Sequence, residues 1–325
     1  MSTSGAVAAS RPAPRSFAAP GRSARRGVLL GLAVAVASAA GVWLVWRIFV
    51  ASAAGQRVDQ AAFDGALYGR TRLWQVAQPV LDVVSVPFVA LVLVVAVLIA
   101  VVRRRWGLAL QVAVLMGGAN LTTQLLKNFV FDRPEFASGY LNTLPSGHTT
   151  VAASVAAAFV FVVPPRARPS AAVLGAAYTA VTGVSTLIGR WHRPSDVVAA
   201  VLVVLAWSGL ACALAAASGP RQPDGAAATV TAEFARPLVP SGAGAARRRR
   251  PNALGVGGIL LLVAALLAAL PAAYSLHRLW TTSGDLETRA ELLVAYAGGA
   301  FGVVAVTAAA FAALLVARHG AGRPS

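Results

Sequence analysis

Long apolar runs, broken at a few short polar islands, make up most of this chain. The runs predict helices at about 28–46, 80–102, 107–126, 149–163, 170–189, 196–217, 254–274 and 292–317. Several are close to the roughly 20 residues that cross a bilayer. Pro87 predicts a kink in the second helix, and Arg103-Arg104-Arg105 stops it. Residues 51–78 are mixed and polar, with Asp59 and Asp64, and read as an amphipathic surface segment. Residues 1–27, rich in Ala, Ser, Pro and Arg, read as a disordered basic tail. Residues 218–253 read as a disordered basic linker closed by Arg247 to Arg250, and 318–325 as a short tail. The expected fold is an all-α polytopic membrane protein, with a six-helix transmembrane core over 28–217 and two additional C-terminal transmembrane helices over 254–317. Gly298 and Gly302 have the small-xxx-small spacing of a helix contact, which is packing and not chemistry.

Composition sharpens the class. Of 325 residues, 58% are hydrophobic and 12% charged, against about 25% charged in soluble domains. The net charge of +17 would suit nucleic acid or anionic lipid, but its distribution reads as topology. With the N-terminus inside, the cytoplasmic segments hold 18 of the 28 Lys and Arg residues and, of the 11 acids, only Asp224 and Glu233. That is the positive-inside pattern. It predicts a multi-pass plasma-membrane protein with both termini cytoplasmic and no nucleic-acid partner. Arg25-Arg26 and Ala37-Ser38-Ala39 resemble the flanks of a cleaved signal, but the first run continues through Trp43 to Trp46 and is long enough to stay as a span. The single cysteine, Cys212, excludes an internal disulfide and a cysteine metal cluster.

The helix count puts three polar islands on the same, extracytoplasmic side. The first is Lys127 to Pro134, where Lys127 (the only lysine) and Arg133 offer an ammonium and a planar fork for phosphate. The second is Pro145-Ser146-Gly147-His148, which opens a helix. Unpaired amides at a helix start form an anion site, and Gly147 allows close approach. The third is Arg190-Trp191-His192-Arg193-Pro194-Ser195-Asp196. His192 and Asp196 are one helical turn apart, and a carboxylate on one imidazole nitrogen makes the other a better nucleophile.

In order, Lys127 with Arg133-Pro134, the run Pro145 to His148, and His192 with Asp196 resemble the three motifs of the type-2 phosphatidic acid phosphatase superfamily, the lipid phosphate phosphatases. The resemblance covers about residues 28–217, which become the six-helix phosphatase core. It implies a metal- and cofactor-independent hydrolase of a lipid phosphate or diphosphate (prenyl pyrophosphate, phosphatidate or phosphatidylglycerophosphate) at the outer face. His192 would attack phosphorus, Asp196 would orient it, and His148 would protonate the leaving group. Lys127, Arg133, Ser146 and Gly147 would hold the phosphoryl oxygens. Two departures stand out. The first motif is one residue short, and the family's arginine six residues before the nucleophilic histidine falls on Thr186, so Arg190 or Arg193 has to substitute, with Arg193 the favoured one because it adjoins His192. Two other functions compete: lipid-dependent phosphotransfer by the same site, and, because of Thr186, non-catalytic binding of lipid headgroups. The identity of the lipid, the oligomeric state and the role of the last two helices stay open at this level.

Overall fold

The computed structural model describes residues 22–83, 94, 98, 106–134, 136, 142–218 and 254–321. Among them every regular element is helical. In chain order these are α1 (Arg22–Val45), α2 (Ala53–Gly65), α3 (Arg70–Val83), α4 (Trp106–Leu125), α5 (Gly147–Val162), α6 (Arg168–Ile188), α7 (Pro194–Ser218), α8 (Gly255–Thr281) and α9 (Arg289–Ala321). Single wide π turns, Trp46–Val50 and Leu126–Val130, extend α1 and α4. Six of the described helices are long and apolar enough to cross a membrane, so the chain is read as a multi-pass membrane protein. The predicted second span lies outside the described residues, apart from Val94, Leu98 and residues 80–83, which close α3. Of the basic tail read over residues 1–27, residues 1–21 lie outside them and 22–27 belong to α1; of the linker read over 218–253, all but Ser218, the last residue of α7, lies outside them.

The bundle is built on close helix approach. α7 lies at its centre, against α1, α4, α5 and α9, while α8 runs along α9. α1 and α7 cross where Gly31 faces Gly209: a Cβ on either would come within 2.6 Å of the other's carbonyl oxygen. Small residues permit this approach in a membrane, where van der Waals packing replaces the hydrophobic drive.

Among the apolar helices α5 is the short one. Its 16 residues rise roughly 24 Å, less than the roughly 30 Å of a hydrocarbon core. The chain before it folds inward, so Leu144, Pro145 and Ser146 are buried. The helix start is thereby set below the end of the bundle.

The segment 51–78 departs from its sequence reading. It forms α2 and most of α3, and α2 is an inserted helix, with Gln56 and Asp59 buried. It packs on α9, where a Cβ on Gly65 would collide with the Leu292 carbonyl. Val58, Ala61 and Ala62 share an apolar cluster with Leu279, Leu286 and Ala295. Arg57 donates to the carbonyls of Leu279, Thr282 and Gly284. The polar side chains of α2 have protein partners, which offset the cost of burying them.

Candidate active site

All three polar islands converge at one end of the bundle, although they are distant in the chain. α7 starts at Pro194, a residue suited to a first helical turn because its missing N–H has no partner there anyway. Asp196 sits in that same turn, fully buried. Its Oδ2 lies 3.2 Å from Nδ1 of His192. The same oxygen accepts the Thr143 hydroxyl at 2.6 Å and the Arg193 amide at 2.9 Å. Three donors fix the carboxylate, which accepts the Nδ1–H of His192 and so leaves the ring's lone pair on Nε2. His192 itself is 7% exposed, so its ring is withdrawn from bulk solvent.

Across from it, Ser146 caps α5, its Oγ accepting from the Thr149 amide at 3.4 Å. The Ser146 amide donates to the Asp196 carbonyl at 2.9 Å. This bond ties the starts of α5 and α7 together, and it leaves the next amides, of Gly147 and His148, as the ones facing outward. A Cβ on Gly147 would meet only Gln124 Nε2, at 4.0 Å, so the space beside this backbone is open. The His148 ring stands 6.3 Å from the His192 ring, centroid to centroid. The two rings thus stand close together at the start of α5 and the turn before α7. Trp191, 5.2 Å from His148 and 5.7 Å from Trp74, walls one side.

The cations gather on the same space. Lys127 is in the π turn after α4, where its charge acts on both Asp196 and His148. Asn142 holds this turn by donating to the carbonyls of Phe131 (2.7 Å) and Lys127 (3.3 Å). Arg133 is half-buried, with Nη1 inaccessible and unbonded among the described residues. Burial, and next the neighbouring charge of Arg193, push its guanidinium below the usual arginine value. Two guanidinium groups drawn out of water that repel each other, one with an orphan donor, form a site that an anion would relieve.

The third island is wound tightly. The amides of Arg190 and Trp191 reach back to the carbonyls of Leu187 (2.9 Å) and Thr186 (3.0 Å), the paired bonds of a Schellman helix end. Arg190 occupies the left-handed position at φ 56°, where glycine is usual and a side chain costs about 1–2 kcal/mol. α2 holds it there: Arg190 Nη2 is 2.7 Å from Asp64 Oδ1, and its Nε donates to the Phe63 carbonyl. Arg193 is 3% exposed. It donates through Nε and Nη2 to Gln60 Oε1 at 3.1 and 2.9 Å, and through Nη1 to Thr143 at 3.3 Å. Asp59 accepts the amide and hydroxyl of Ser195 at 3.1 and 2.6 Å. Burial, and next the charge of Asp196, push the Asp59 carboxyl up to about 6.

Residues 108–219 match the PAP2 superfamily. The resemblance carried by the three motifs is thereby shown, over a segment that opens in α4 and closes just past α7. No curated protein and no solved structure matches the chain. The PAP2 superfamily generally comprises phosphatases. The PAP2 segment contains Lys127, Arg133, Ser146, Gly147, His148, His192, Arg193 and Asp196, and the structure brings all of them to one end of the bundle. Thr186, at the family's arginine position, is fully buried, its hydroxyl bonded to the Gly183 carbonyl at 2.7 Å. Of the two substitutes, Arg190 is turned to Asp64 on α2, and Arg193 lies beside Arg133. Among the described residues no three His, Cys, Asp or Glu side chains group as metal ligands.

Asp59, Gln60, Phe63, Asp64 and Thr143 belong to none of the three motifs, and the sequence marks none of them as a site residue. The four on α2 share one signal, their spacing. Positions 59, 60, 63 and 64 fall on a single helical face, inside a segment too polar to be read as part of the buried bundle.

Proposed function

We propose that the chain is an integral membrane phosphatase that hydrolyses a lipid phosphate or diphosphate, through a phosphohistidine on His192. The observation that carries this reading is the facing pair of imidazoles, with Asp196 on Nδ1 of His192 and with Lys127, Arg133 and Arg193 around the gap. In the first step His192 Nε2 attacks phosphorus and the bond from phosphorus to the lipid-side oxygen breaks. His148 gives its proton to that oxygen. In the second step water attacks the phosphohistidine, His148 takes a proton from the water, and the P–N bond breaks to release phosphate and free His192. Lys127, Arg133, Arg193 and the Gly147 and His148 amides offset the negative charge as it moves across the phosphoryl oxygens. Ser146 acts mainly by fixing the helix start, and its hydroxyl proton remains for a phosphate oxygen. The loop charges favour the extracytoplasmic face for this end of the bundle.

The reading is tested by phosphate release from purified protein in detergent, with EDTA present. The substrates are a prenyl diphosphate, phosphatidate and phosphatidylglycerophosphate, with His192→Ala beside wild type. Wild type is expected to release phosphate from at least one lipid, and His192→Ala to lose at least about a thousandfold, as for removal of a covalent nucleophile. Undiminished release by His192→Ala would refute the mechanism.

A further inference from the structure

The helix that grips the nucleophile turn lies outside the segment that matches the PAP2 superfamily. The residues α2 presents to the site form one connected chain of hydrogen bonds. Asp64 takes Arg190 on Oδ1 and the Gln60 side-chain amide on Oδ2, the latter at 3.0 Å. The bond to Asp64 aims the Gln60 amide nitrogen away from Arg193 and its carbonyl oxygen toward it. That oxygen receives two arms of the Arg193 guanidinium. Arg193 then bonds to Thr143, Thr143 to Asp196, and Asp196 to His192. The Phe63 ring backs both arginines, with the Arg190 and Arg193 guanidinium carbons 4.5 and 5.1 Å from its centroid. This distance is within the range of a cation over a ring face.

The chemistry of the gripping group matters. Asp64 meets Arg190 with a carboxylate. Gln60 meets Arg193 with a neutral amide, which contributes direction and no charge. A neutral partner fixes the fork of an arginine without cancelling the field it sends to a neighbouring phosphate. Thr186 leaves the family's arginine position empty of charge, so a cation arriving from the other end of the turn needs a support of its own.

We infer that Gln60 is the positioning residue for Arg193, holding its guanidinium against the phosphate site in place of the arginine that Thr186 replaces. This inference rests on the phosphatase reading for its role in turnover, and on anion binding alone for its geometry. Gln60 touches no reacting atom and acts through Arg193.

The test compares wild type, Gln60→Ala and Gln60→Glu as full-length protein in detergent. Two quantities are measured: the dissociation constant of inorganic phosphate, from ligand-dependent shifts in melting temperature, and KM and kcat for whichever lipid phosphate the wild type hydrolyses. Gln60→Ala is expected to weaken phosphate binding and raise KM by roughly tenfold, the scale of a hydrogen bond to a charged group, with kcat changed by less than about threefold. Gln60→Glu keeps the size and both acceptor contacts to Arg193, but it loses the donor to Asp64 and adds a negative charge. It is expected to weaken phosphate binding more than Gln60→Ala does. A merely structural Gln60 would lower the melting temperature in both variants and leave the phosphate affinity of the folded protein as in wild type, and that result overturns the inference. If wild type binds phosphate but releases none from lipid, the binding series still decides the role of Gln60 while the phosphatase reading falls. If wild type binds no phosphate, both fall.

Discussion

Thr186 is buried in the last turn of α6, six residues before His192. Its mismatch with the PAP2 motif is visible in the sequence, and so is the presence of two arginines after it. Which arginine compensates depends on the turn. Arg190 enters the left-handed region and bonds Asp64, while Arg193 bonds Gln60 and Thr143, the residue that also bonds Asp196. Spacing alone does not encode that choice. The structure also says what restoring the arginine would do. Thr186 is fully buried and bonded within its own helix turn, where an added guanidinium has no acidic partner in its own turn. Thr186→Arg is therefore expected to give no rise in kcat/KM, and to destabilise the protein by about 3 kcal/mol or more through an uncompensated buried charge. Melting temperature and steady-state kinetics on the purified variant check both halves. A gain in kcat/KM at unchanged melting temperature would show that the site lacks a cation.

At the scale of elements, apolar runs foretold seven of the described helices, because membrane-spanning helices advertise themselves by length and hydropathy, although α1 starts at Arg22 and α8 runs on to Thr281, both well beyond the apolar run. α2 did not, because its polarity is satisfied by tertiary partners that no local pattern reveals. Ser195, Arg193 and Arg190 all come from a turn more than a hundred residues further along. Asp59 links that helix to pH. Its carboxyl titrates in the folded protein at about 6, above the ordinary 3.8, because burial and the Asp196 charge favour the protonated form. A raised carboxyl binds its proton more tightly in the folded state, so the contribution of Asp59 to stability is fully present below about pH 4 and declines as pH rises through 6. Wild type is expected to lose up to about 3 kcal/mol from this group between pH 4 and 7, and Asp59→Asn to lose that part of the slope. Chemical denaturation of the two proteins across this range reads the difference. Parallel pH profiles would mean that Asp59 titrates as an ordinary exposed carboxylate.

For the molecule as a whole, the motifs announced the site and the helix parity put its parts at one end. The last two helices carried no chemical signal, and their place emerged only from packing. α8 and α9 cover α2, and Arg57 bonds to carbonyls at the end of α8 and in the turn that follows it. The extension thus supports the helix that holds the turn carrying His192, through Arg57 at one end of the contact and Gln60 and Asp64 at the other. The proposed phosphatase chemistry requires a phosphoryl group to pass through His192. The most direct measurement is to mix the purified protein with a lipid phosphate it turns over, quench under alkaline conditions that preserve phosphohistidine, and map the phosphate by mass spectrometry. The account predicts a phosphorylated peptide with the group on His192, present in wild type and absent in His192→Ala. Phosphate on His148 or on another residue, or turnover with no phosphorylated peptide at any quench time, would contradict it.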